Sequence, residues 1–139
     1  MLDVVAWVCV RDRRMLAVRA RGREVWYMPG GKREAGESEA QALLREVGEE
    51  LGVTLRPDSL FPCCVVHDDA YGLALPMRMA CFFADGVGEP APQAEIDALG
   101  WLTSDDADQC ATAPGEGARA LSTSASSQRG FAELGSPKM

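Results

Sequence analysis

Glu46, Glu49 and Glu50 crowd the short stretch Arg45–Val53, "REVGEELGV". On a helix, a spacing of i, i+3 and i+4 puts all three carboxylates on one face. Like charges at that spacing cost about 0.2–0.5 kcal/mol per pair, and a helix C-terminus disfavours each anion by a further ~0.3–1 kcal/mol. A hard divalent cation turns this repulsion into coordination. Mg²⁺ takes a few carboxylate oxygens and fills its shell with water and substrate phosphate oxygens. Just upstream, Gly30 and Gly31 read as a Pro-Gly-Gly loop whose backbone is free to approach a ligand closely. Clustered acids, a glycine loop and the lack of a cationic cradle together point to a metal-bridged phosphate site.

A helix is needed to hold these acids, and its limits are written in the residues. Ser38 followed by Gln41 is a capping-box pattern, and acidic Glu37 and Glu39 suit the N-terminal end of the dipole. Gly52 then Val53 reads as a stop with a hydrophobic contact, so the helix is expected over 39–51. Ala40, Leu43, Leu44, Val47 and Leu51 share one arc, and the three glutamates fill an adjacent one. Gly48 inside this helix costs about 1 kcal/mol relative to Ala, for which close packing is the expected reason. Before the helix, Leu2–Val10 has the pattern of a central strand, "RDRR" of a turn, 15–20 of a second strand and "VWY" of a short aromatic one. After it come a turn at "RPDSL", strands at 60–66 and 75–86, a loop at "GEPAPQAE" and a short strand at "ALGWLT". Ser104 is a candidate cap, 114–121 a candidate short helix, and the Ser/Gly-rich 122–139 a mobile tail outside the domain. This order predicts an α/β fold, a mixed sheet with helices packed on it.

Composition removes several functions. A chain of 139 residues suits one domain with one core. Its net charge is −7, and the only basic cluster of note is "RARGR" at 19–23, which argues against polymeric nucleic acid as a partner. Arg19, Arg21 and Arg23 are read as a solvated hairpin in preference to phosphate contacts. No apolar run approaches the ~20 residues that span a bilayer, so no membrane is expected. The first apolar run precedes the basic cluster, the reverse of a signal peptide, which predicts a cytoplasmic protein. Five cysteines (Cys9, Cys63, Cys64, Cys81 and Cys110) lack metal-ligand spacing. Cys9 and Cys81 read as small hydrophobes in strands, and Cys63–Cys64 as buried strand residues in preference to a redox pair. His67 is the sole histidine, and "HDD" at 67–69 reads as a polar strand end rather than a metal cluster. Trp7, Trp26, Tyr27 and Trp101 could stack on a base; for each one separately, core packing is the stronger reading.

Residues 31–53, "GKREAGESEAQALLREVGEELGV", resemble a complete Nudix box: Gly, five residues, Glu, seven residues, then Arg-Glu-aliphatic-x-Glu-Glu-x-Gly-aliphatic. Gly31, Glu37, Arg45, Glu46, Val47, Glu49, Glu50, Gly52 and Val53 fill every defined position, and the likeness extends over roughly residues 2–121. The resemblance implies an α/β/α sandwich around a mixed sheet in a domain of residues 1–121. It also implies Mg²⁺- or Mn²⁺-dependent hydrolysis of a nucleoside diphosphate linked to another moiety. By position, Glu46, Glu49 and Glu50 would be the main metal ligands, with Glu37 supporting and the Gly31 carbonyl in reach of the metal. Arg45 would orient Glu49. The general base would be Glu49 or Glu50, or Glu95 from the later loop; the box residues are preferred. Gly30, Gly31, Lys32, Trp101 and Tyr71 are the candidate substrate contacts.

The secondary marks that separate subfamilies are sparse. ADP-ribose hydrolases tend to show a proline about fifteen residues past the box, where this chain has Asp68 and Asp69. The patterns of NADH and coenzyme A hydrolases are missing. Tyr71 lies eighteen residues past Val53, close to the tyrosine of dinucleoside polyphosphate hydrolases. A short chain without an added domain most resembles the MutT-like nucleoside triphosphate group, including members that clear oxidised nucleotides. NDP-sugar or dinucleoside polyphosphate hydrolysis remains the alternative, as does a non-catalytic nucleotide sensor. Relatives often form homodimers, but nothing in this sequence marks an interface.

Overall fold

The near-continuous apolar run Val-Val-Ala-Trp makes Leu2–Trp7 (β1) a strand that can be buried on both faces, and Val4 to Trp7 are all buried. The computed structural model describes residues 1–70, 75–103 and 110–111. After β1 come β2 (Val10–Arg11), β3 (Arg14–Ala20), β4 (Trp26–Tyr27), β5 (Gly30–Lys32) and the helix α1 (Glu39–Leu51). They are followed by β6 (Thr54–Leu55), a 3₁₀ turn at Pro57–Ser59, β7 (Phe61–Ala70), β8 (Leu75–Phe83), β9 (Gly86–Val87), β10 (Ile96–Leu102) and β11 (Cys110–Ala111). The Ser104 cap, the helix at 114–121, the 122–139 tail and Tyr71 lie outside the described residues.

The expected mixed sheet is present, and the strands divide into more than one sheet. One has the order β5-β1-β8-β7, with β1 parallel to β8 and antiparallel to β5. A second runs β10-β3-β4-β11, with β2 also pairing β3, and β6 with β9 forms a small ribbon. Val5 and Trp7 of β1, Leu16 and Val18 of β3, and Leu43, Val47 and Leu51 of α1 share one buried cluster. Val4, Ala6 and Val8 turn the opposite way and join Met77, Met79 and Cys81 of β8 in a second cluster. Trp7 is core, its indole N–H donating to the Ala84 carbonyl at 3.1 Å. Tyr27 is core as well.

Helix α1 has the predicted limits. Ser38 Oγ accepts from the Gln41 amide at 3.1 Å while the Gln41 side chain accepts from the Ser38 amide at 2.9 Å, a complete capping box. At the other end Gly52 takes the left-handed conformation (φ 69°) and donates to the Gly48 carbonyl at 3.0 Å. No basic residue stands in the last turn to offset the acids there. Gly48 is not explained by packing: a methyl group there would meet only the Val53 carbonyl, at an ordinary 3.9 Å.

Two glycine substitutions should therefore act in opposite directions. Gly48→Ala should raise the unfolding free energy by roughly 0.5–1 kcal/mol, because the space is free and helix propensity improves. Gly30→Ala should lower it by about 2 kcal/mol or more, since its side chain would enter the β1 backbone. Urea unfolding followed by circular dichroism measures both.

Candidate active site: an acidic helix turn against a glycine strand

Gly30 and Gly31 are not the free loop the sequence suggests. They begin β5, where Gly30 pairs with Ala6 and Gly31 with Val5. A side chain on Gly30 (φ 148°) would collide with the Val5 carbonyl and come within 2.9 Å of the Ala6 Cα. Close approach is thus required toward the sheet, and it leaves the Gly30 amide facing α1. That amide donates to Glu50 Oε1 at 3.1 Å. Gly31 serves the neighbouring acid, because a Cβ there would lie 2.5–2.7 Å from the carboxylate atoms of Glu46.

The three box glutamates occupy different environments. Glu50 is only 5% exposed and is the sole buried charged residue among those described. Burial pushes its carboxyl up to about 8; the Gly30 hydrogen bond opposes this, and repulsion from Glu46, Glu95 and Glu49 adds to it. Glu46 is half-buried and is also raised, first by burial, with Arg45 opposing. Glu49 is exposed. Its place beside Val47 and Leu51 on the helical wheel carries Glu50 toward the core, a signal the spacing held but the acid-face reading passed over.

Arg45 holds this cluster in a way that corrects the sequence reading. Its main partner is Glu37, gripped through two bonds, Nε to Oε2 at 2.7 Å and an η-nitrogen to Oε1 at 2.9 Å. Arg45 reaches Glu46 at 3.1 Å and the Lys32 carbonyl at 3.1 Å, while Glu49 is only at the 3.5 Å limit. The guanidinium therefore orients Glu37 and Glu46 before Glu49. The same bidentate bond, with the Glu34 amide, holds the Glu37 carboxyl down to about 2.

Other expected contacts separate into near and far. Glu95, just ahead of β10, lies close enough to Glu46 and Glu50 to raise both. Lys32 is exposed on β5 and contributes its carbonyl to Arg45. Trp101 is not brought to the acids: it sits six residues along β10 from Glu95, about 20 Å of strand, under the Arg11 guanidinium at 5.3 Å. Arg19 likewise stacks over Trp26 at 5.0 Å.

These donors suit a hard cation. Among the described residues no three Cys, His, Asp or Glu side chains form a closed metal cage. An ion that takes most of its ligands from phosphate and water does not need one. The buried Glu50 carboxylate stands in the field of Glu46, Glu49 and Glu95, and Gly31 leaves room at the Glu46 oxygens. An all-oxygen, net-negative set of this kind fits Mg²⁺ or Mn²⁺ and not a soft metal.

Comparison with known proteins agrees with this geometry. Residues 1–122 match the NUDIX domain. A MutT-like protein of Streptomyces ambofaciens is 36% identical over 104 residues, which cover 73% of this chain and 64% of that protein. The CTP pyrophosphohydrolase of Escherichia coli is 40% identical over 57 residues, 38% of this chain and 42% of that one. The chain thus spans just under two thirds of the first relative's length and under half of the second's. The crystal structure of a MutT NUDIX hydrolase from Burkholderia pseudomallei matches with a TM-score of 0.68 and 29% identity, covering 88% of this chain and 97% of that one. With its box residues gathered between β5 and α1, and with these likenesses along most of its length, the chain belongs to the Nudix hydrolase family.

Proposed function

We propose that this chain is a metal-dependent pyrophosphohydrolase that cleaves a nucleoside or deoxynucleoside triphosphate, oxidised forms included, to the monophosphate and pyrophosphate. The observation that carries this reading is the buried Glu50 carboxyl, clasped by the Gly30 amide and standing in the repulsive field of Glu46, Glu95 and Glu49. Fixing so much negative charge at one helix turn is unfavourable for the protein alone and favourable around a cation. The name of the E. coli relative, a CTP pyrophosphohydrolase, supports a triphosphate substrate.

Glu46, Glu49 and Glu50 would hold Mg²⁺ or Mn²⁺. When bound, such an ion neutralises charge on the pyrophosphate oxygens and lowers the pKa of water. The remaining work falls to the chain's own residues. Arg45 keeps Glu46 pointed toward the site and is itself anchored by Glu37. Glu49, exposed and weakly held, is free to accept the proton of a water that attacks phosphorus. Glu95 is the second candidate base, approaching from the loop before β10.

Hydrolysis assays over nucleoside triphosphates, coupled to inorganic pyrophosphatase, and over nucleotide sugars, ADP-ribose and dinucleoside polyphosphates, coupled to a phosphomonoesterase, each with Mg²⁺ and with Mn²⁺, should show the fastest turnover on a triphosphate. Silence across the panel together with tight nucleotide binding would make the protein a sensor. Glu49→Gln and Glu50→Gln should each reduce turnover at least ~100-fold; near-wild-type rates in both would refute the assignment. Arg45→Lys, which cannot grip Glu37 bidentately, should lower activity roughly 10- to 100-fold. Mg²⁺ should raise the thermal midpoint of the wild type by linkage and leave that of Glu50→Gln unmoved. In chelator, Glu50→Gln should melt no lower than the wild type, because burial already disfavours the ionised carboxyl and the amide keeps an acceptor for Gly30.

A further inference from the structure

On the sheet face turned away from α1, the chain gathers cysteines that the hydrolytic site does not use. Strands β7 and β8 are antiparallel, and Cys64 stands directly opposite Cys81. Between Pro62 and Cys64 the register slips by one residue, so Cys63 is an extra residue in a β-bulge. In regular strand the side chains of Cys63 and Cys64 would project to opposite faces. Here the bulge brings both to one side, where both pack against the cluster that contains Cys81. The Cys81 thiol donates to the Met79 carbonyl at 3.9 Å.

We propose that Cys64 and Cys81 form a peroxide-responsive dithiol site, in which Cys64 is oxidised first and Cys81 closes a cross-strand disulfide. The two positions differ as such roles require. Cys64 is half-buried and therefore reachable by a small hydroperoxide, whereas Cys81 is fully buried beside it. The neighbouring Cys63 and Cys81 thiols hold the Cys64 thiol below its usual range against the opposing effect of burial, and the Cys81 thiol is raised. In the first step the Cys64 thiolate attacks the terminal peroxide oxygen. The O–O bond breaks, the leaving hydroxide or alkoxide takes up a proton, and Cys64 becomes a sulfenic acid. In the second, the Cys81 sulfur attacks the Cys64 sulfur, the S–O bond breaks, and hydroxide departs with the Cys81 proton as water. The peroxide is reduced by two electrons and the two thiols are oxidised to one disulfide.

Geometry favours Cys81 over Cys63 as the resolving group. Residues facing each other in an antiparallel pair have Cα atoms about 4.5–5.5 Å apart, inside the ~4.4–6.8 Å span of disulfides. Linking the vicinal Cys63–Cys64 pair would instead close an eight-membered ring through a planar trans peptide.

The full-length chain, pre-reduced and treated with hydrogen peroxide, tests this by thiol counting and by mass-spectrometric mapping without reductant. The expected product has lost two thiols, carries a Cys64–Cys81 crosslink, and returns to the starting mass with dithiothreitol. Cys63→Ser should still form it. Cys81→Ser should stop at a Cys64 sulfenic acid that dimedone traps. On the untreated wild type, iodoacetamide should modify Cys64 at least ~10-fold faster than Cys9 or Cys81. A Cys63–Cys64 crosslink, first oxidation at another cysteine, or five thiols surviving treatment would each overturn the proposal.

Discussion

A single hydrogen bond sets the geometry of the rest, the one from the Gly30 amide to Glu50. It exists because two close approaches meet. Gly30 lies against the Val5–Ala6 backbone, where no side chain fits, and Glu50 turns inward beside the apolar face of α1. Removing a carboxylate from water is costly unless donors or cations compensate. One amide compensates only in part, as the upward shift of the Glu50 carboxyl shows. The protein tolerates this because β1, packed on both faces, and the capped helix α1 fix the position of both partners.

From that clasp the acids grade outward. Glu37 is fully committed to Arg45 and is the most firmly ionised of the set. Glu46 is shared between Arg45 and the open space beside Gly31. Glu49 is barely held, and Glu95 arrives from another element. Carboxylates of one chemical type thus differ in burial, partners and freedom, and those differences can separate anchoring from ligation and ligation from proton transfer.

Much of this was legible in the residues. Local interactions fix the limits of α1, so Ser38, Gln41 and Gly52 placed both ends, and the box spacing named the acids. The strands expected at 2–10, 15–20, 60–66, 75–86 and 98–103 are present with shifted ends, at 2–7, 14–20, 61–70, 75–83 and 96–102, because apolar runs bounded by turn residues locate a strand better than they locate its ends. What stayed hidden depends on contacts distant in sequence. Gly30 and Gly31 look like a loop because nothing nearby reveals that β1 will pair with them. Glu50 looks solvated until the amide that receives it is in place, and Arg45 looks like the partner of Glu49 until Glu37 folds back across eight residues. The division into separate sheets and the bulge at Cys63 depend on register, which alternation alone does not define. Trp101, whose type alone suggests stacking, lies in β10 under the Arg11 guanidinium, a contact between elements that alternation does not reveal.

The parallel pairing of β1 with β8 matches Leu2 to Met77 and Trp7 to Phe82. In a growing chain, β1 would therefore lack its inner neighbour until about 75 further residues had been made. Such long-range closure is slow, and an apolar strand kept waiting is prone to wrong associations. The β1–β5 pairing spans less than half that distance and gives the waiting strand an early partner. The same glycines that stand against Glu46 and Glu50 would then also shelter the nascent chain.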